Sequence, residues 1–184
     1  TESNIAMKAL RMVQDYTGCT QGAAIHLLKR VPPCAGMGGG SGDGAAMLLG
    51  LNKFWDLRLT DEELLTMASK LGSDVPFLLK GGTARGTGRG EQLETLPTSG
   101  AHWLLIVKPE VSISTAEAYG RFKGASRVSS DTMDTVTTHM KAKDFRQAFI
   151  ASDNTFEELI FPIHPELVAC KQFFLDRGFP TIMT

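Results

Sequence analysis

Glycine stands at positions 36, 38, 39, 40, 42 and 44 of the stretch Pro32-Pro33-Cys34-Ala35-Gly36-Met37-Gly38-Gly39-Gly40-Ser41-Gly42-Asp43-Gly44-Ala45-Ala46, and an apolar, Ala- and Leu-rich run follows at once. This reads as a flexible loop feeding a helix N-terminus. Glycine admits positive φ and lets a ligand approach the backbone with no Cβ in the way. The first amides of the following helix have no internal partners and sit at the positive end of its dipole. Such a loop suits a phosphate chain. No Gly-Lys-Ser/Thr closes it, so it is not a P-loop. The glycines are too dense and wrongly spaced for a dinucleotide fingerprint. A Gly-rich surface linker is the bland alternative. Linkers are usually polar, and the flanks here are β-like on one side and strongly helical on the other.

The 184 residues suit one large domain or two small ones, and a 42% hydrophobic fraction is ample for a core. A net charge of −1 leaves no basic footprint for nucleic acid and no polybasic membrane patch. No apolar run approaches the roughly 20 residues a spanning helix needs. Cys19, Cys34 and Cys170 are widely spaced with no CxxC, as free thiols of a reducing, cytoplasmic compartment would be. Cys34 has no activating base nearby in sequence, so a small residue filling a gap outweighs a reactive thiol. His26, His102, His139 and His164 show no ligand spacing. The ends, Thr1-Glu2-Ser3-Asn4 and Pro180-Thr181-Ile182-Met183-Thr184, read as the start of a helix and the middle of a strand in something longer.

Along the chain, Asn4 or Ser3 caps a helix with Ile5, Ala9, Met12, Val13 and Tyr16 on its apolar face, ended by Gly18. Residues 23–31 alternate loosely as a strand. A helix is expected over about 43–54. Thr60-Asp61-Glu62-Glu63 is a capping box opening a helix through Leu71, and Pro76 fits the first turn of a short helix. The glycine-rich residues 81–91 suggest a hairpin or bulged strand. His102–Lys108 reads as a buried strand ending at Pro109. Helices are expected near 115–123, 131–140, 143–151 and 165–177. The last has Leu167, Val168, Cys170, Phe173 and Phe174 facing inward. A polar segment, Gly124 to Ser130, separates the first two of these helices, and Pro97-Thr98-Ser99-Gly100 marks a boundary.

Asp74 is the second chemical feature. A carboxylate at a helix start, beside Val75, Pro76 and Phe77, is partly desolvated yet held by backbone amides. It suits acceptance of a proton from a hydroxyl during phosphoryl transfer. On spacing alone a plain N-cap aspartate is the stronger reading. Arg85 and Arg89 suit a solvated hairpin face better than a phosphate contact.

Read together, three blocks change that order: Pro33-x-Ala35-Gly36-Met37-Gly38-Gly39-Gly40-Ser41, then Gly72-Ser73-Asp74-Val75-Pro76-Phe77, then Gly81-Gly82-x-Ala84-x-x-x-Gly88-x-Gly90-Glu91. The chain resembles the GHMP small-molecule kinases. Lys29-Arg30-Val31-Pro32, Leu51-Asn52-x-x-Trp55, Pro109-x-Val111-Ser112-Ile113-Ser114-Thr115 and Asn154-x-x-Glu157 extend the likeness along essentially the whole chain. The branch most resembled acts on a cytidine diphosphate-linked methylerythritol in isoprenoid precursor synthesis.

The resemblance implies an α+β architecture of the GHMP kinase fold. Residues 1–98 would form a ribosomal-protein-S5-like ATP-loop domain, and residues 99–184 a ferredoxin-like domain, both incomplete. It implies transfer of the γ-phosphoryl of ATP, with Mg²⁺, to the 2-hydroxyl of that small-molecule substrate. Asp74 would be the general base. Ala35, Gly36, Met37, Gly38, Gly39, Gly40, Ser41, Gly42 and Asp43 would wrap the phosphates, with Lys29 and Asn4 on the nucleotide side. Thr115 and Tyr119 fall at the cytidine end, where a ring can stack on a pyrimidine; helix-face packing is an equal account of Tyr119. No residue is assigned as a metal ligand. Gly42 stands where the family carries a second Ser that helps hold metal or phosphate. The family's upstream Lys has no match here. Two alternatives are another GHMP kinase acting on a different small alcohol and a nucleotide-binding chain without turnover.

Overall fold

A computed structural model describes residues 2–98, 100–113, 115–122 and 130–184. Its contacts divide the chain into two compact units, Thr1–Pro33 with Met37–Thr95 and Cys34–Gly36 with Leu96–Thr184.

In the first unit, helix α1 (Ile5–Thr17) starts where Asn4 Oδ1 accepts the amide of Ala6 at 2.9 Å and ends at Gly18, left-handed with φ 70°. Helix α2 spans Gly39–Phe54, α3 Asp61–Leu71 and α4 Val75–Lys80. The capping box on α3 is complete in both directions, Thr60 with Glu63. A two-stranded sheet, β1 (Thr83–Thr87) and β2 (Gln92–Leu96), closes through Gly88 and Gly90, both at positive φ. Ala9, Leu10, Val13, Ala45, Leu48, Leu51, Trp55, Leu64, Met67, Ala68 and Val75 form one buried cluster. Helices α1, α3 and α4 each bring an apolar face to it around α2.

In the second unit lie α5 (Thr115–Arg121), α6 (Ser130–Lys141), α7 (Phe145–Ala151), α8 (Thr155–Ile160) and α9 (Pro165–Leu175). Helices α6 and α7 pair as a hairpin, and α5 packs on α8. Buried here are Ala118, Thr137, Ala148, Glu157 and Ile160. Glu157 is nearly enclosed yet paired. One oxygen accepts Lys171 Nζ and the other the amide of Met183, while Asn154 Nδ2 donates to the carbonyl of Met183.

The structure departs from the sequence reading at several places. Helix α2 begins at Gly39, four residues before the expected start, because Gly38 turns the chain as a left-handed N-cap with φ 63°. Tertiary packing there overrides glycine's poor helix propensity. Residues 23–31 form no strand. Residues 102–108 form none either, and Trp103, Leu104, Leu105, Ile106 and Val107 are exposed rather than buried. An apolar pattern encodes a tendency to pair, but a strand exists only where another backbone completes the ladder. Among the described residues β1 and β2 pair only with each other. Residues 180–184 are likewise no strand. Helix α9 has no buried residue, and Val168 and Phe173 are exposed; the rings of Phe173 and Phe174 meet edge to face instead. Residues 124–129 of the expected polar segment, Lys123 at the end of the helix expected over 115–123, and Ser99 and Ser114 lie outside the described residues.

Candidate functional site

The site grows from the N-terminus of α2. The first hydrogen bond of this helix runs from the amide of Gly42 to the carbonyl of Gly38 at 2.8 Å. The amides of Gly39, Gly40 and Ser41 therefore have no acceptor within the helix. The N-cap residue, Gly38, has no side chain to cap them. An opening turn of bare amides at the positive end of a 16-residue helix attracts an anion.

Close packing explains three of the glycines in and before the first two turns of this helix, at 38, 39 and 44. A Cβ on Gly39 would stand 2.9 Å from Val31 Cγ1, inside the closest approach that real Cβ atoms make. A Cβ on Gly38 would meet Leu78 Cδ1 at 3.3 Å, and one on Gly44 would meet Ile5 Cδ1 at 3.1 Å. The segment carrying Lys29, the helix following Asp74 and the helix capped by Asn4 thus each press on the first two turns of α2. Neighbours in sequence of Lys29, Asp74 and Asn4 come to one end of one helix in this way. Val31, Leu78 and Ile5, which do the pressing, were not singled out as site residues. Their signal was only their place beside Lys29, within the Asp74 block and next to Asn4.

Lys29 Nζ lies 2.5 Å from Asp43 Oδ2, with the two side chains 33% and 20% exposed. Asp74 is the N-cap residue of α4, and its side chain makes no capping hydrogen bond and is exposed. The expected desolvation and amide support are thus absent. With φ −87° and ψ −16° its backbone is already helical, so the side chain does not fold back over the first amides as an extended N-cap residue's does. Its carbonyl accepts the amide of Leu78, which ties it by one helical turn to the side chain facing Gly38. The β1–β2 turn packs near the same block, since a Cβ on Gly90 would lie 3.8 Å from Ser73 Cβ. Arg89 is exposed in that turn, and its amide donates to Glu91, which lies below the ordinary carboxylate range chiefly through a hydrogen bond from its own backbone amide.

Other expected residues fall elsewhere. Ala35 and Gly36 belong to the second unit, where Thr184 Oγ1 donates to the carbonyl of Ala35 and a Cβ on Gly36 would strike the Thr184 carbonyl. Met37 is half-buried in the first unit. Cys34 is exposed at φ 55° and fills no gap. Thr115 opens α5. Tyr119 is 60% exposed and meets Phe156 edge to face, with ring centroids 5.0 Å apart.

For a metal, no group of three His, Cys, Asp or Glu stands together among the described residues. At the head of α2 the oxygen donors are the Ser41 hydroxyl and Asp43, whose Oδ2 already meets Lys29. That set fits Mg²⁺ carried by phosphate oxygens and retaining water, not a cage built by protein.

Residues 4–82 match the family model for the GHMP kinases N terminal domain. Proteins named 4-diphosphocytidyl-2-C-methyl-D-erythritol kinase from Bacillus cereus (strain AH187), Bacillus anthracis (strain CDC 684 / NRRL 3495) and Bacillus thuringiensis (strain Al Hakam) are each 37% identical over 170 residues. The alignments cover 92% of this chain and 58% of each relative. Residues 4–82 are thus a GHMP kinase N-terminal domain. A crystal structure titled 4-(cytidine 5'-diphospho)-2C-methyl-D-erythritol kinase shares its fold, with a TM-score of 0.68 at 24% identity, over 100% of this chain and 66% of that one. The chain thus spans about 58% of the length of the curated relatives it matches. Among its described residues no helix is long and apolar enough to cross a membrane.

Proposed function

We propose that this chain binds ATP at the head of α2 and serves phosphoryl transfer to the 2-hydroxyl of 4-diphosphocytidyl-2-C-methyl-D-erythritol. The observation that carries the reading is the uncapped Gly38-Gly39-Gly40 turn, with Leu78 of α4, one helical turn beyond Asp74, packed against Gly38. The acceptor is taken from the names of the relatives, which are kinases of that alcohol. On this reading the nucleotide half is residues 1–98 and the remainder 99–184, in a cytoplasmic protein.

The bare amides hold phosphate oxygens and the helix dipole offsets their charge. Asp74 takes the proton from the acceptor hydroxyl as its oxygen bonds to the γ-phosphorus. The bond to the bridging oxygen breaks and ADP leaves. Mg²⁺, when bound, supplies further positive charge at the phosphates. The Ser41 hydroxyl would be the side-chain group at hand to orient it, and Gly42 adds no hydroxyl.

Release of ADP in a coupled assay with this alcohol tests the reading. Asp74→Asn is expected to lower kcat by about a hundredfold or more while leaving ATP affinity nearly intact. Full turnover in that variant would remove the general-base role. ADP release only with another small alcohol would assign a different GHMP substrate. Binding without turnover would leave a nucleotide-binding chain and remove the transfer step.

A further inference from the structure

We infer that Asp43 is a positioning residue for the nucleotide rather than a phosphate contact: it holds the Lys29 ammonium at the first turn of α2. The inference rests on the phosphate-binding reading of that turn.

Asp43 was grouped with the loop that wraps the phosphates, but a carboxylate repels a phosphate. It lies one turn beyond Gly39 on the same face of α2. Lys29 comes from a segment without regular structure, and nothing in its backbone fixes where a four-carbon stem points. Two contacts fix it. Val31 packs so tightly on Gly39 that only a glycine fits there, which brings the segment against the helix. Asp43 Oδ2 then takes Lys29 Nζ at 2.5 Å, and the ammonium lies 3.7 Å from where a Cβ on Gly39 would stand. The charge therefore rests beside the bare amides instead of in solvent. A lysine ammonium has three hydrogens, and one bond to Asp43 leaves two for phosphate oxygens. The carboxylate and the phosphates both face the ammonium, so Lys29 separates two anions that would otherwise repel.

The test is a double-mutant cycle on affinity for a non-hydrolysable ATP analogue with Mg²⁺, measured by calorimetry on the 184-residue chain. Lys29→Met is expected to weaken binding about tenfold. Asp43→Asn should weaken it about threefold in the parent chain, and by less than about 1.5-fold in the Lys29→Met background. A carboxylate that only stabilises α2 through its dipole would lower the melting temperature and leave affinity unchanged, which overturns the inference. Equal weakening by Asp43→Asn in both backgrounds also overturns it, since Asp43 would then act without Lys29. Gly39→Val separates the two levels of argument. If it leaves affinity intact, the phosphate-binding reading fails and this inference falls with it. If it weakens affinity while the cycle shows no coupling, only the inference fails.

Discussion

A methyl group decides the chemistry at Gly39. The nearest atoms to its missing Cβ are Val31 Cγ1 at 2.9 Å and Val31 Cβ at 3.0 Å, both on a stiff branched side chain. Gly39→Ala therefore forces Val31 or the helix start to move, and should cost about 1–3 kcal/mol in chemical denaturation. Adding Val31→Ala should recover part of that loss; no recovery would locate the clash elsewhere. Glu157 sets a different constraint. Its carboxylate is nearly buried and joins Lys171 on α9 to the amide of Met183. Glu157→Ala leaves a largely buried ammonium without its anion, and the expected cost is about 2–4 kcal/mol, read from the denaturation midpoint. A loss below roughly 1 kcal/mol would mean that water replaces the pair.

At the scale of elements, the capping box of α3 is the clearest case of sequence dictating structure. Thr60→Ala should lower stability by about 1 kcal/mol. Glu63 adds a pH dependence of known sign. The Thr60 backbone amide first, then the Tyr16 and Thr60 hydroxyls, hold its carboxyl below the ordinary 4.5. The unfolded chain takes up that proton more readily than the native one, so the contribution is complete above the ordinary range and fades as pH falls through the lower native value. Tyr16 shifts the other way. Its bond to Glu63 raises the phenol above 10.0, so its contribution is full below that value and is lost as pH rises through the native one. Glu63→Gln should flatten both limbs of the stability–pH curve, and an unchanged acid limb would sink the assignment. Such caps and breakers made α1, α3, α4 and the β1–β2 hairpin legible, because the information is local: Asn4, Gly18, Thr60, Pro76 and Gly88 each act within a few residues. The start of α2 is not legible, because it depends on the left-handed turn at Gly38 and on Val31, a neighbour across the fold that leaves no room for a Cβ at position 39. Of the candidate site, the glycines and Asp74 stand out in the sequence as residues, and their roles are those proposed above. The exposure of Asp74 and the pairing of Asp43 with Lys29 depend on backbone angles and packing that no spacing reports.

Across the whole molecule, the two tryptophans expose the limit of reading hydrophobicity as burial. Trp55 and Trp103 both sit beside apolar neighbours in sequence, yet only one is inside. Trp55 is 6% exposed in the first unit's core, and its indole N–H is buried with no hydrogen-bond partner among the described residues. Trp103 is fully exposed in the second unit, within a run of four further exposed apolar residues. The difference is supplied by partners: helices α1, α2 and α3 enclose Trp55, whereas the backbone of residues 102–108 meets no neighbouring strand among the described residues. A chain in this state should carry two distinct emitters. Trp103→Phe should remove the red-shifted, acrylamide-quenched part of the fluorescence and leave the unfolding amplitude of the first unit unchanged. Trp55→Phe should remove the blue-shifted part and the amplitude together. If instead Trp103 emits in the blue and resists quenching, the segment has found a cover in solution, either a strand ladder or a second copy. Concentration dependence of the quenching distinguishes these, because a ladder within one chain is indifferent to dilution and an intermolecular one is not.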